Sequence, residues 1–93
     1  MEEIRYKIMV VDDELFFREF IKNNLSDEFD ILTVTSGSEA LKKVKHESPD
    51  LILLDRVMAD MSGEEICRIL KSDEDTMTIP VIMVTALERK RIL

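Results

Sequence analysis

Three aspartates and a threonine hold the chemical potential of this sequence. Asp12 and Asp13 follow the apolar run "KIMVV" (7–11), Asp55 follows "DLILL" (50–54), and Thr85 with Ala86 follows "PVIMV" (80–84). Each group stands at the end of a stretch that wants burial, which is where a strand leaves the interior and meets solvent. Two carboxylates about 5 Å apart repel by roughly 1 kcal/mol in water and about 3 kcal/mol at an effective dielectric near 20. Three of them at one mouth would cancel a meaningful share of the roughly 5–15 kcal/mol that stabilises a small domain. A hard divalent cation relieves that repulsion, and Mg²⁺ needs only one or two carboxylates because it keeps several waters. An aspartate oxygen is also a competent nucleophile for making an acyl phosphate, and such a cation screens the charge of in-line phosphoryl transfer. Thr85 offers a hydroxyl to one phosphoryl oxygen, and the small Ala86 beside it leaves the approach open.

Taken singly, these residues have plainer explanations. "DDE" (12–14) suits a helix N-terminus, where acids favour the macrodipole, Asp55 suits a loop, and Thr85 suits an ordinary strand end. Their placement on separate strands decides between the readings. The four apolar runs, the second being "DILTV" (30–34), alternate with amphipathic stretches of helical length. Phe16, Phe17, Phe20, Ile21 and Leu25 fall at helical spacing, as do Ala40, Leu41 and Val44, and then Ile66, Cys67, Ile69 and Leu70. Ser36-Gly37-Ser38 and Ser62-Gly63 read as helix starts, since a serine oxygen accepts from the unpaired amides of a first turn. The order β-α-β-α-β-α-β implies right-handed crossovers and a parallel sheet with helices on both faces.

The strands differ in character. Runs 1, 3 and 4 are apolar almost throughout, as strands covered on both faces are, whereas the threonines of run 2 suit an edge. The expected sheet order is therefore 2-1-3-4. It reverses between strands 1 and 3, and open α/β sheets bind ligands at such a switch point, beyond the carboxyl ends of the strands. The three acids converge there.

Composition narrows the function classes. At 93 residues the chain is one domain, and 45 % hydrophobic residues are enough for an interior. A formal net charge of −7 argues against a nucleic-acid-binding module, which would show a basic face. A single cysteine, Cys67, allows no internal disulfide framework and suits a reducing compartment. The start "MEEIRYK" lacks the apolar core of a signal peptide, and no run approaches the roughly 20 apolar residues of a membrane span. The expectation is a soluble cytoplasmic protein with no membrane partner.

The ordered set of motifs resembles the receiver domain of bacterial two-component response regulators. The family pattern "ILVVDD" appears as "IMVVDD" (8–13), "G-x-EAL" as "GSEAL" (37–41), and "PDLILLD" stands unaltered (49–55). "D-x-x-M-P-x-M-x-G" appears as "DRVMADMSG" (55–63), and "P-V-I-x-x-T-A" as "PVIMVTA" (80–86). The resemblance implies a flavodoxin-like α/β fold of three layers. It also implies that Asp55 is the phosphoacceptor, that Asp12, Asp13, Asp55 and the backbone carbonyl of Val57 hold Mg²⁺, and that Thr85 is the switch hydroxyl. The phosphoryl donor would be a sensor histidine kinase or a phosphotransfer protein. On this reading the domain is not an enzyme, though it assists its own phosphoryl transfer and hydrolysis.

Two departures stand out. Ala59 occupies the position where the family usually has proline, which removes a fixed φ from the loop after the acceptor. Family members continue through a fourth helix, a fifth strand carrying a lysine, and a fifth helix, whereas "ALERKRIL" (86–93) ends as the fourth helix would begin; Lys90 lies in the wrong segment to stand in for that lysine. The expectation is a receiver over 1–93, truncated at its C-terminal end and lacking the usual fifth strand and fifth helix. Its strand-4 edge "VIMVTA" (81–86) would then pair with a second copy, or the C-terminal segments would exchange, giving a homodimer. The rival readings are a non-switching receiver-like dimerisation or interaction module, and an aspartyl phosphatase, which needs D-x-D where this chain has "DDE". His46 reads as a solvated residue after the second helix, Cys67 as a packing group, and Met58 and Met61 as loop anchors.

Overall fold

The computed structural model describes residues 4–84. Four strands and three helices alternate: β1 Lys7–Val11, α1 Leu15–Leu25, β2 Asp30–Val34, α2 Gly37–Glu47, β3 Leu51–Asp55, α3 Gly63–Ser72 and β4 Val81–Val84. All strand pairs are parallel and the sheet order is β2-β1-β3-β4, as the alternation of apolar runs implies. β3 begins and ends one residue later than the apolar run suggests, so Asp55 is its last member rather than the residue after it.

The period-2 pattern of the strands divides the interior. Met9, Val11, Val34, Ile52 and Leu54 cluster with Ala40 and Val44 of α2 and Ile66 and Leu70 of α3. Burying each of these large aliphatic side chains contributes about 1.5–3 kcal/mol. Ile8 and Val10 are also buried, though outside that cluster, and α1 packs against β1 and β2. α1 departs from its sequence pattern. Its inward stripe is Phe17, Ile21 and Leu25, all half-buried, while Phe16 (78 % exposed) and Phe20 (52 %) turn to solvent. β4 departs as well, because Ile82 is 51 % exposed and the strand is not covered on both faces by the described residues.

Local chemistry sets the helix ends. Ser36 Oγ accepts from the Glu39 amide and Ser62 Oγ accepts from the Glu65 amide, both at 3.1 Å, so both expected serine caps are present. Helix α2 ends at Ser48, whose φ of 47° is the only left-handed value among the described non-glycine residues. Helix α3 ends against Thr76, whose buried hydroxyl donates to the Leu70 carbonyl at 2.6 Å. Arg5 closes the far end of α1, donating to the carbonyls of Ser26, Asp27 and Phe29 while pairing with the Asp30 carboxylate at 3.0 Å. His46 lies in the last turn of α2, not after it, and is exposed. Cys67 packs half-buried against the main cluster, and Met58 and Met61 anchor the β3–α3 loop on it.

Gly63 governs how closely α3 approaches the site. A Cβ there would stand 2.7 Å from the Asp55 carbonyl oxygen and 2.8 Å from the Arg56 Cα, both backbone atoms. A Cβ on Gly37 would meet mainly side chains, the nearest being Ile66 Cδ1 at 2.7 Å, which can turn aside. Overpacking costs typically about 1–3 kcal/mol. Gly63→Ala is expected at or above the top of that range and Gly37→Ala near its bottom, measured by urea unfolding. Equal losses for the two variants would contradict the backbone contact at Gly63.

Candidate functional site

Parallel pairing of β1 with β3 sets Val11 opposite Leu54, so Asp12 and Asp55 emerge side by side at the carboxyl ends of adjacent strands. The Asp12 amide extends the β1 ladder by donating to the Val34 carbonyl at 3.2 Å. Its side chain turns back as an Asx turn, with Oδ1 accepting from the Glu14 amide at 2.8 Å. The Asp12 carbonyl accepts from Arg18 Nη1 at 2.9 Å, which fixes the first turn of α1 relative to the strand end. Asp55 Oδ1 accepts from the Val57 amide at 3.3 Å, and Asp13 Oδ2 accepts from the Ala59 amide at 3.2 Å.

One carboxylate oxygen from each of Asp12, Asp13 and Asp55 lies within 4.8 Å of the other two. Asp12 and Asp55 are 2 % and 3 % exposed, whereas Asp13 faces solvent. The set suits a hard cation: ligand oxygens at about 2.0–2.1 Å from Mg²⁺ lie roughly 3–4 Å apart, so a small closure or one bridging water completes the fit. Burial lifts the Asp12 carboxyl above its ordinary value. The Glu14 amide works in the opposite direction, while the charges of Asp55, Glu14 and Asp13 push it further up. A carboxylate held this way is under electrostatic stress that a cation would remove.

The loop between β3 and α3 is tied at several points. Val57 and Ser62 form an isolated antiparallel bridge, and the Gly63 amide donates to the Arg56 carbonyl at 2.8 Å. Asp60 reaches across to α2, where its two oxygens accept from the Gly37 and Ser38 amides at 3.0 Å each. Those two bonds hold its carboxyl below the usual range. Asp60, the Ala59 amide and Arg18 are the contacts that the sequence reading missed. A signal existed for Asp60, since an acid close to a serine-capped helix start can serve its amides, but nothing in the spacing selects which helix.

Of the residues singled out in the sequence, the structure therefore brings Asp12, Asp13 and Asp55 together and sets Val57 beside them on the loop. Thr85 and Ala86 lie outside the described residues.

A family model described as the response regulator receiver domain matches residues 8–92. The chain belongs to the response-regulator receiver family. The DNA-binding response regulator MtrA of Mycolicibacterium smegmatis is 38 % identical over 87 residues, covering 92 % of this chain and 37 % of that protein. The alkaline phosphatase synthesis transcriptional regulatory protein PhoP of Bacillus subtilis is 38 % identical over 85 residues, covering 90 % of this chain and 35 % of that protein. Receiver domains are also its structural neighbours. The N-terminal domain of a response regulator receiver protein from Methanoculleus marisnigri matches with a TM-score of 0.84 at 38 % identity, covering 87 % of this chain and 67 % of that one. The receiver thus spans little more than a third of the length of these curated relatives.

Charge stress at Asp12 has a measurable sign. Its folded-state value is raised, so the folded protein holds this proton more tightly than the unfolded chain. Stability is then lost as pH climbs from the unfolded value through the raised folded one, and the whole penalty is present above it. In metal-free protein, Asp12→Asn should raise stability at neutral pH by on the order of 1 kcal/mol, about 4–8 °C for a domain of this size. The gain should shrink towards about pH 4, where the unfolded aspartate protonates. Thermal melts at both pH values in chelator test this, and an equal shift at both would assign the effect to packing rather than charge.

Proposed function

We propose that this receiver domain accepts a phosphoryl group on Asp55 in a Mg²⁺-dependent phosphorelay. The observation that carries the reading is the convergence of Asp12, Asp13 and Asp55 at the ends of β1 and β3, in a chain of the receiver family. An Asp55 oxygen would attack phosphorus on a phosphohistidine of a sensor kinase or phosphotransfer protein. A P–O bond forms, the P–N bond breaks, and the imidazole nitrogen leaves with the electron pair. Asp12, Asp13 and Asp55, with the Val57 carbonyl, are the groups that would hold the cation; when bound, it supplies positive charge against the negative charge on the phosphoryl oxygens. Asp55 is 3 % exposed, so the phosphoryl donor would meet it at the mouth of the sheet, beside Asp12 and Asp13. By the family resemblance, Thr85 is proposed as the switch hydroxyl that responds to the phosphoryl group, and Ala86 as its small neighbour in sequence.

On this reading the domain is a phosphoacceptor and not an enzyme with a separate substrate, and its donor is a cytoplasmic kinase domain. No described helix is long and apolar enough to cross a membrane. The net charge of −7 argues against nucleic acid as a direct partner of this domain. The decisive experiment is incubation with acetyl phosphate and Mg²⁺ followed by intact-mass analysis. Wild type should gain one phosphoryl group, and Asp55→Asn and chelator-treated wild type should gain none. Label persisting in Asp55→Asn would remove Asp55 from the acceptor role, and no label in any sample would favour the non-switching interaction module.

A homodimer through the β4 edge belongs to the same proposal. Among the described residues β4 pairs with β3 alone, and its half-exposed Ile82 gives the strand an apolar outer position. Such edges recruit further strands. Sedimentation across a dilution series should show a concentration-dependent dimer. A single monomeric species at high micromolar concentration would contradict it.

A further inference from the structure

The bond between the Ala59 amide and Asp13 joins residues 46 apart in sequence, at 3.2 Å, and links the end of β1 to the loop after β3. Its donor is a main-chain N–H that the usual proline of this position would lack. It uses Asp13 Oδ2 and leaves the other oxygen for a cation. The residue that follows, Asp60, clamps the first turn of α2 through the Gly37 and Ser38 amides. The loop that bears Val57 is thereby fastened to Asp13 on one side and to α2 on the other.

We propose that the Ala59 N–H is a positioning group for the metal ligand Asp13, and that through it the loop responds to cation binding. This rests on the reading of Asp12, Asp13 and Asp55 as the Mg²⁺ site. Asp13 is exposed, so its side chain would otherwise sample several rotamers, and each would have to be abandoned on binding. A hydrogen bond to the outer oxygen of a ligating carboxylate orients it before the cation arrives. Losing such a partner typically weakens metal affinity by about 10–100-fold, and a single bond at an exposed acid belongs at the low end. Ala59 takes no part in the chemistry; it acts through Asp13.

The test is Mg²⁺ titration followed by amide NMR, with four chains beside wild type. Ala59→Ser keeps the N–H and should bind as wild type does. Ala59→Pro removes it and should bind about tenfold more weakly. Since proline also fixes φ, a semisynthetic chain with lactic acid in place of Ala59, ligated at Cys67, removes the N–H without a ring and should show the same loss. Asp13→Ala should lose binding in this range. In wild type the Ala59 amide resonance should shift with the same midpoint as the residues around Asp12 and Asp55. Unchanged or tighter binding by the lactic-acid chain, with binding lost in Asp13→Ala, overturns the positioning role and leaves the metal site standing. Wild-type affinity retained in Asp13→Ala overturns the metal site and the inference together.

Discussion

Everything at the acidic mouth depends on the parallel pairing of β1 with β3. The register that sets Val11 against Leu54 makes Asp12 and Asp55 neighbours. The pairing is secured from below. Met9, Val11, Ile52 and Leu54 bury their side chains against α2 and α3, and a slip of one residue would turn every one of them to the opposite face. The apolar interior thus does the electrostatic work of holding like charges side by side. A buried, raised Asp12 is the visible result.

The helices set the distances around that pair. Gly63 lets α3 begin in direct contact with the backbone of Asp55 and Arg56, and Arg18 fastens α1 to the carbonyl of Asp12. The loop between β3 and α3 is not left to its own conformational preferences. It is bridged internally between Val57 and Ser62 and held outward by Asp60 and the Ala59 amide. A family-typical proline would stiffen this loop by restricting φ; here hydrogen bonds to neighbouring elements serve that purpose instead.

Much of this was legible in the sequence, for physical reasons that can be named. The existence of the strands followed from the apolar runs and the edge place of β2 from its threonines, since burial on two faces and on one leaves different compositions; β4, equally apolar yet half-exposed at Ile82, did not follow that rule. The serine caps of α2 and α3 were readable because the cap and the amide it serves lie three residues apart. The acids could be assigned to one site because each follows a strand and the order 2-1-3-4 brings their ends together. What was not legible depends on where elements lie relative to one another. Five of the six apolar residues of α1 share a helical spacing, yet Phe16 and Phe20 turn outward and only Phe17, Ile21 and Leu25 are half-buried. Asp60 and the Ala59 amide bond to partners more than twenty residues away, beyond the reach of any local rule.

Arg5 shows how much of a small fold can hang on one planar side chain. Its guanidinium serves three carbonyls at the turn between α1 and β2 and one carboxylate at the start of β2, a set of acceptors spread over Ser26 to Asp30. An ammonium at the same position has three donors on a single nitrogen and no fork, so it cannot span that arc. The residue sits two positions ahead of the sheet, outside every helix and strand. Anyone shortening or fusing the chain at its amino end therefore meets a hard boundary there: the stretch before β1 looks dispensable by every measure of regular structure, yet it ends in the residue that ties off the first crossover.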